Sequence, residues 1–192
     1  MPSVLGVSAH PDDESLLAGG ALAQHAAAHA RTAVVTMTWA RTSPRATELA
    51  DALAVLGAGA PRMLGYRDAR NPRAAPGSPR LLDVPLDTAV GAVVQQIHDV
   101  RPDIDITHDA LGQLTGHPDH RRTHQVTLPA VQDAALPHLH PQAGEPRQAH
   151  TVHCATHPDS GIADLGPLLA DVGKQLLTVP DPYATTSVDI SP

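Results

Sequence analysis

The sequence predicts a Rossmann-like α/β fold, a mainly parallel sheet covered by helices on both faces. Three observations carry that prediction. Short apolar runs alternate with Ala- and Leu-rich stretches of helical length. The first of these runs, Val4 to Ala9, is uncharged, as a strand buried on both faces requires. Gly or Pro stands at most of the junctions between them.

The elements follow in order. Val4 to Ala9 reads as a buried strand, and Pro11 makes a helix through His10 unfavourable, so the strand ends in a turn there. Asp12, Asp13 and Glu14 then lead into a helix from Ser15 to Ala30, acidic groups at a helix start being favoured by the macrodipole. Gly19 and Gly20 weaken its interior, which implies close packing on the sheet. Thr32 to Trp39 reads as a second strand. Ser43 as N-cap and Pro44 at the first helical position open a helix to about Leu56, ended by Gly57 and Gly59. Arg62 to Tyr66 reads as a third strand. Asp68 to Pro85, rich in Pro, Gly and Arg, reads as an exposed loop suited to a substrate lid.

Leu86 to Val100 has a helical pattern that Pro102 closes, and Asp103 to Thr107 is a fourth strand. A further helix begins near His117 or Pro118 and runs to about Ala135. Beyond the Pro- and His-rich loop from Pro137 to Gln148, His150–Thr156, Gln175–Val179 and Ser187–Ile190 read as strands.

Composition bounds the function. The 192 residues fit a single domain, 1–192, with a sizeable core. Aromatics make up 2% and the formal charge is −7, so neither a base-stacking platform nor a basic surface for a phosphate backbone is present, and no nucleic-acid partner is expected. One cysteine, Cys154, excludes an intrachain disulfide and a thiolate-cluster metal site; in its apolar run it reads as an inert core thiol. No stretch approaches the length of a membrane span and the N-terminus lacks the pattern of a signal peptide, so a cytoplasmic location is expected.

Two runs carry chemistry: His10-Pro11-Asp12-Asp13-Glu14, and His117-Pro118-Asp119-His120 about a hundred residues later. Each follows a strand, and in parallel sheets sites form outside the carboxyl ends of strands, so the two can converge. Past the turn at Pro11, His10 and Asp13 can reach one point, and His120 completes two imidazoles and a carboxylate with an open position. That is a catalytic ligand set, first for zinc, although Fe(II) fits it too. Asp12 lies between the first two ligands as a general base for metal-activated water. His117, protonated, can stabilise an oxyanion. The chemistry suits hydrolysis of an amide or ester. A third copy, His157-Pro158-Asp159, reads as a surface turn, and His108 precedes the loop to the second motif.

Ser8 to Glu14 together with Thr115 to His120 resembles the PIG-L/LmbE-like zinc N-deacetylase family, which includes deacetylases of N-acetylglucosaminyl-phosphatidylinositol and of N-acetylglucosaminyl-inositol. Weaker likeness extends over most of the chain: Arg45-x-x-Glu48 before Leu56-Gly57, Leu64 to Asp68, and Thr107-His108-Asp109 followed by Gly112 and Gly116. The resemblance implies His10, Asp13 and His120 as zinc ligands, Asp12 as base and His117 as oxyanion stabiliser. It also implies Arg45 and Asp68 as binders of sugar hydroxyls. Some members place a Tyr where this chain has Thr115. Relatives also continue past the equivalent of Pro192 into a further helix, so either that helix is lacking or a second subunit of a homo-oligomer supplies part of the pocket wall.

The expected activity is therefore zinc-dependent removal of an acetyl or other acyl group from a small amino-sugar conjugate such as an N-acetylglucosamine derivative. The alternatives are a metal phosphoesterase, which would hold two ions, and a non-catalytic sugar- or metal-binding relative.

Overall fold

The computed structural model describes residues 1–162 and 176–191. Among them five strands, β1 (Val4–Ser8), β2 (Thr32–Thr38), β3 (Arg62–Tyr66), β4 (Ile104–His108) and β5 (Thr151–Ala155), form one sheet. Every pairing is parallel and the order is β3-β2-β1-β4-β5. Chain order runs outward from β1 to β3 and then restarts at β4 beside β1. The switch point, where the loops at the carboxyl ends diverge, lies between β1 and β4.

Four helices of the described residues cover the sheet: α1 (Asp13–Ala27), α2 (Pro44–Leu56), α3 (Leu86–Val100) and α4 (Pro118–Asp133). Two apolar layers form the core. On one face Val4, Val34 and Met63 pack against Leu17 and Leu22 of α1 and Leu49 and Leu53 of α2. On the other, Leu5, Val7, Val35 and Met37 meet Val90, Val93, Val94 and Ile97 of α3 and Val126 and Ala130 of α4. With Phe absent, side chains of Val and Leu size fill both layers.

Helix boundaries follow the local chemistry. Pro44 occupies the first turn of α2 behind Ser43 in extended backbone, and Gly57 closes the helix at φ 69°, a left-handed position that favours glycine. At α4, His117 is the N-cap and its Nδ1 accepts the Asp119 N–H.

Four expectations are corrected. The Asp68–Pro85 segment is not simply exposed: Ala74, Ala75, Leu81 and Val84 are buried, and the Leu81 N–H donates to the Arg67 carbonyl, folding the segment back on the helices. Ser187–Ile190 forms no strand, because it lies along α1 rather than beside a sheet edge. There Ile190 sits over Gly20 and the Asp189 carbonyl accepts from Gln24. Of the expected strand Gln175–Val179, Gln175 lies outside the described residues; residues 176–178 are irregular and Val179 makes a single bridge to Pro158. Cys154 is exposed rather than in the core, since β5 is the edge strand and leaves part of its surface uncovered.

Candidate metal centre

Both motifs meet at the switch point. His10 and Asp13 leave β1 through the turn at Pro11, where the His10 N–H donates to Asp13 Oδ2 at 2.8 Å and holds the two side chains on one side. His120 enters from the first turn of α4. His10 Nδ1 lies 3.2 Å from His120 Nε2 and 3.2 Å from Asp13 Oδ2, and His120 Nε2 lies 3.2 Å from Asp13 Oδ1. Donors about 2.0–2.1 Å from a tetrahedral ion stand about 3.3–3.4 Å from one another, so these spacings, with Asp13 facing each imidazole through a different oxygen, have the scale of a zinc shell.

Proton placement favours the same reading. His120 Nδ1 faces the Gly112 carbonyl at 3.0 Å; a carbonyl only accepts, so the proton is on Nδ1 and Nε2 presents a lone pair. His10 Nε2 faces Asp68 Oδ2 at 3.2 Å and Asp119 Oδ2 at 3.3 Å, so it donates there, while Nδ1 faces Asp13 Oδ2 and becomes a ligand atom when an ion replaces its proton. Two ring nitrogens and a carboxylate turned towards one another call for positive charge between them, which a proton on His10 Nδ1 or a metal ion can supply. Imidazoles whose second nitrogen is held by a carboxylate or carbonyl are the usual arrangement at metal sites.

The electrostatics agree. Burial alone lowers the pKa of His10, but Asp119, Asp13 and Asp68 overcome it and raise the imidazole to about 11. Burial likewise opposes ionisation of Asp13, yet His10, His108 and His120 hold its carboxyl well below the usual range. The cluster concentrates negative charge and draws positive charge into itself.

Three other donor groups lie within reach of one another, Asp13–His108–His120, His10–His117–His120 and His10–Asp68–His117–Asp119. None fits as well. His108 Nε2 accepts the Ala9 N–H at 3.1 Å while Nδ1 donates to Gln113 Oε1 at 2.8 Å, so its lone pair is committed. Asp119 Oδ2 accepts the Ala69 N–H at 2.8 Å, and His117 Nδ1 accepts the Asp119 N–H at 3.2 Å.

That last bond corrects the expected charge of His117. A protonated ring cannot accept at Nδ1; the ring is neutral with its hydrogen on Nε2. Burial first, then the charge on His10, push its pKa down to about 4. It stands edge-on to His10, ring centroids 4.5 Å apart, and can donate one hydrogen bond without carrying charge.

The remaining expected residues lie around this centre. Asp68 is buried beside His10, with Oδ1 accepting from the N–H groups of Arg70 and Asn71. It also lines a cleft of about 370 Å³ bounded by Arg67, Pro72 and Arg80. Arg45 sits at the rim, its Nη2 donating to the Pro11 carbonyl and lying 2.6 Å from Asp12 Oδ2. Its guanidinium is 5.5 Å above the Trp39 ring. Asp12 is thus exposed and turned to Arg45, on the outer side of the turn whose inner side carries the ligands.

Three further residues stand at this centre to which sequence reasoning assigned no definite role. Asp119 is fully buried and orients His10; it falls on the buried face of α4 with His120 and Thr123. His108 stacks on His120 at 4.2 Å between centroids, and its strand position fixes that placement. Glu14, buried to 1% exposure, accepts the Asp12 N–H. Its place in the acidic run was visible, but its direction was not.

Comparison with known proteins gives the same family. The profile described as PIG-L, GlcNAc-PI de-N-acetylase, matches residues 5–131. A 1D-myo-inositol 2-acetamido-2-deoxy-alpha-D-glucopyranoside deacetylase from Rhodococcus erythropolis is 35% identical over 97% of this chain and 74% of its own length. Among solved structures, the conserved protein TT1542 from Thermus thermophilus superposes with a TM-score of 0.66 at 28% identity, covering 82% of this chain and 68% of that one. The N,N′-diacetylchitobiose deacetylase from Pyrococcus horikoshii shares the fold, with a TM-score of 0.67 at 18% identity over 97% and 86% of the two chains.

Proposed function

The chain belongs to the GlcNAc-PI de-N-acetylase (PIG-L) family, and from that premise we propose that it is a metal-dependent amide hydrolase that releases acetate from an N-acetylglucosamine conjugate. The observation that carries this reading is the convergence of His10, Asp13 and His120, each 3.2 Å from the others, the donor set of a catalytic rather than a structural ion. Zinc is our choice for the ion, since two imidazoles and one carboxylate are ordinary zinc ligands. When bound, such an ion supplies Lewis acidity, bringing a coordinated water to a pKa of about 7 and polarising the scissile carbonyl.

The chain's own residues supply the rest. Asp12, two residues from one ligand and adjacent to another, takes the water proton once its carboxylate turns from Arg45, which holds it on the outer side of the turn, and returns the proton to the leaving amine. His117 donates from Nε2–H to the carbonyl oxygen as charge develops there. As a neutral donor it does so without opposing the charge of the ion. Asp68 and Asp119 keep His10 oriented. Asp68, at the wall of the adjoining cleft, and Arg45, at the rim, bind hydroxyls of the sugar or its aglycone. The amine set free by the R. erythropolis relative's named substrate is that of a glucosaminyl-inositol, and we take a conjugate of that size as the substrate here.

Amine release from N-acetylglucosaminyl-inositol, measured before and after chelation and after zinc is returned, tests the reading. Activity should vanish with the chelator and return with about one zinc per chain. Turnover unaffected by chelation, or two ions required per chain as in a phosphoesterase, would refute it.

A further inference from the structure

Asp12 has a backbone that side-chain-bearing residues rarely adopt, φ 132° and ψ −28°. Such conformations persist only where the surroundings enforce them, and they concentrate at functional sites. Here the enforcing contacts are visible. The Asp12 N–H donates to Glu14 Oε2 at 2.9 Å, and the other Glu14 oxygen accepts the Ser15 hydroxyl at 2.8 Å. On the far side Arg45 grips the Pro11 carbonyl and the Asp12 carboxylate, and is itself fixed by Glu48 at 3.2 Å and by the Trp39 ring. The peptide carrying the base is clamped from both sides.

Glu14 needs such a purpose. It is 1% exposed, lies next to a ligand, and takes no part in the donor cluster. Burying a carboxylate is unfavourable unless it is well bonded, and both bonds it makes are to its own turn. The geometry asked of that turn is demanding. His10 and Asp13 face inward to one point while Asp12, between them, presents its carboxylate on another side. A positive φ at Asp12 achieves that inversion, and the Glu14 bond to its N–H holds the inverted peptide.

We infer that Glu14 is a positioning residue for Asp12, holding the base in a strained backbone conformation. The inference rests on the reading of Asp12 as base, but the strain can be measured without any turnover. Asp12→Gly removes the carboxylate and relieves the strain; Asp12→Ala removes the carboxylate and keeps it. The Gly variant should melt about 3 °C or more above the Ala variant. In a Glu14→Ala background, where the peptide can relax, that difference should shrink or disappear. Equal melting of the two Asp12 variants would overturn the inference.

The kinetic arm uses Glu14→Gln, which keeps one acceptor oxygen and should fold even if Glu14→Ala does not. With zinc loaded, kcat should fall about tenfold or more while KM and zinc affinity stay near those of the parent, because only the placement of the base has changed. Loss of zinc affinity in step with kcat would show that Glu14 supports the ligands instead, and would overturn the assignment to Asp12. If the parent protein releases no acetate at all, the proposed function fails, while the melting comparison still decides whether Glu14 strains Asp12.

Discussion

At the scale of single residues, the proposed function divides between groups that would bind the ion and groups that would move or meet charge. Asp12→Ala removes the exposed carboxylate of the first motif, the one on the outer side of the turn. Turnover should fall by a factor of about 10²–10⁴ with zinc still bound, measured as acetate release beside metal content. Activity that follows zinc content alone would deny Asp12 its role. His117→Ala removes a donor made useful only as the carbonyl oxygen gains charge, so kcat should fall by about 10² with little change in KM. The cluster of His10, Asp13, His117 and His120 was legible because each motif packs its residues into a few positions beside a strand end; that Asp12 would turn to Arg45 was not. The tautomers were not: whether His117 is charged depends on the Asp119 N–H that caps it, and whether His108 can bind an ion depends on the Ala9 N–H across the sheet.

At the scale of elements, the loop from Gly112 to His117 links β4 to α4 and supplies the carbonyl that fixes the His120 tautomer. Gly116 turns the chain at φ 58°, and a methyl group there would come 2.6 Å from Leu177 Cδ1. Leu177 Cδ1 can swing aside, but a side chain at that positive φ is strained, so Gly116→Ala should displace the loop. The displaced carbonyl would release His120 Nδ1, and zinc affinity should drop about 10–100-fold, the effect typical of a lost outer-sphere partner. Zinc titration against a competing chelator would measure it; unchanged affinity would mean that the loop absorbs the methyl group. Helices α2 and α3 appeared where the pattern put them, because Pro44, Gly57 and Pro102 are local signals. The segment after β3 was less legible. Its Pro, Gly and Arg residues signal a loop, while the burial of Leu81 and Val84 depends on helices α3 and α4 that lie later in the chain.

At the scale of the whole molecule, strand periodicity predicted a parallel, two-faced sheet, but not that β1 would stand at its centre with β4 beside it. That order, which no local pattern encodes, is what joins motifs a hundred residues apart. The same centrality buries a charge-bearing side chain that sequence alone would leave at a strand end: Asp105 in β4 is 0% exposed and, among the described residues, neither carboxylate oxygen finds a partner. It shares a sheet face with Thr107, which bonds to Thr127 of α4. Burial pushes the Asp105 carboxyl up to about 7, with Arg147 opposing only weakly. The sign of the consequence is fixed by linkage. In the unfolded chain Asp105 loses its proton near pH 3.8, in the fold only near 7. Between those values the native state holds the extra proton, so this residue lowers stability progressively as pH rises, and the full cost, about 4 kcal/mol at most, is reached above pH 7. Asp105→Asn has the same shape and no such titration. Its stability relative to the parent should grow steadily from pH 5 to pH 8 in denaturant melts, a comparison in which the other carboxylates and histidines cancel. A difference that does not change with pH would mean that Asp105 is solvated or paired in solution.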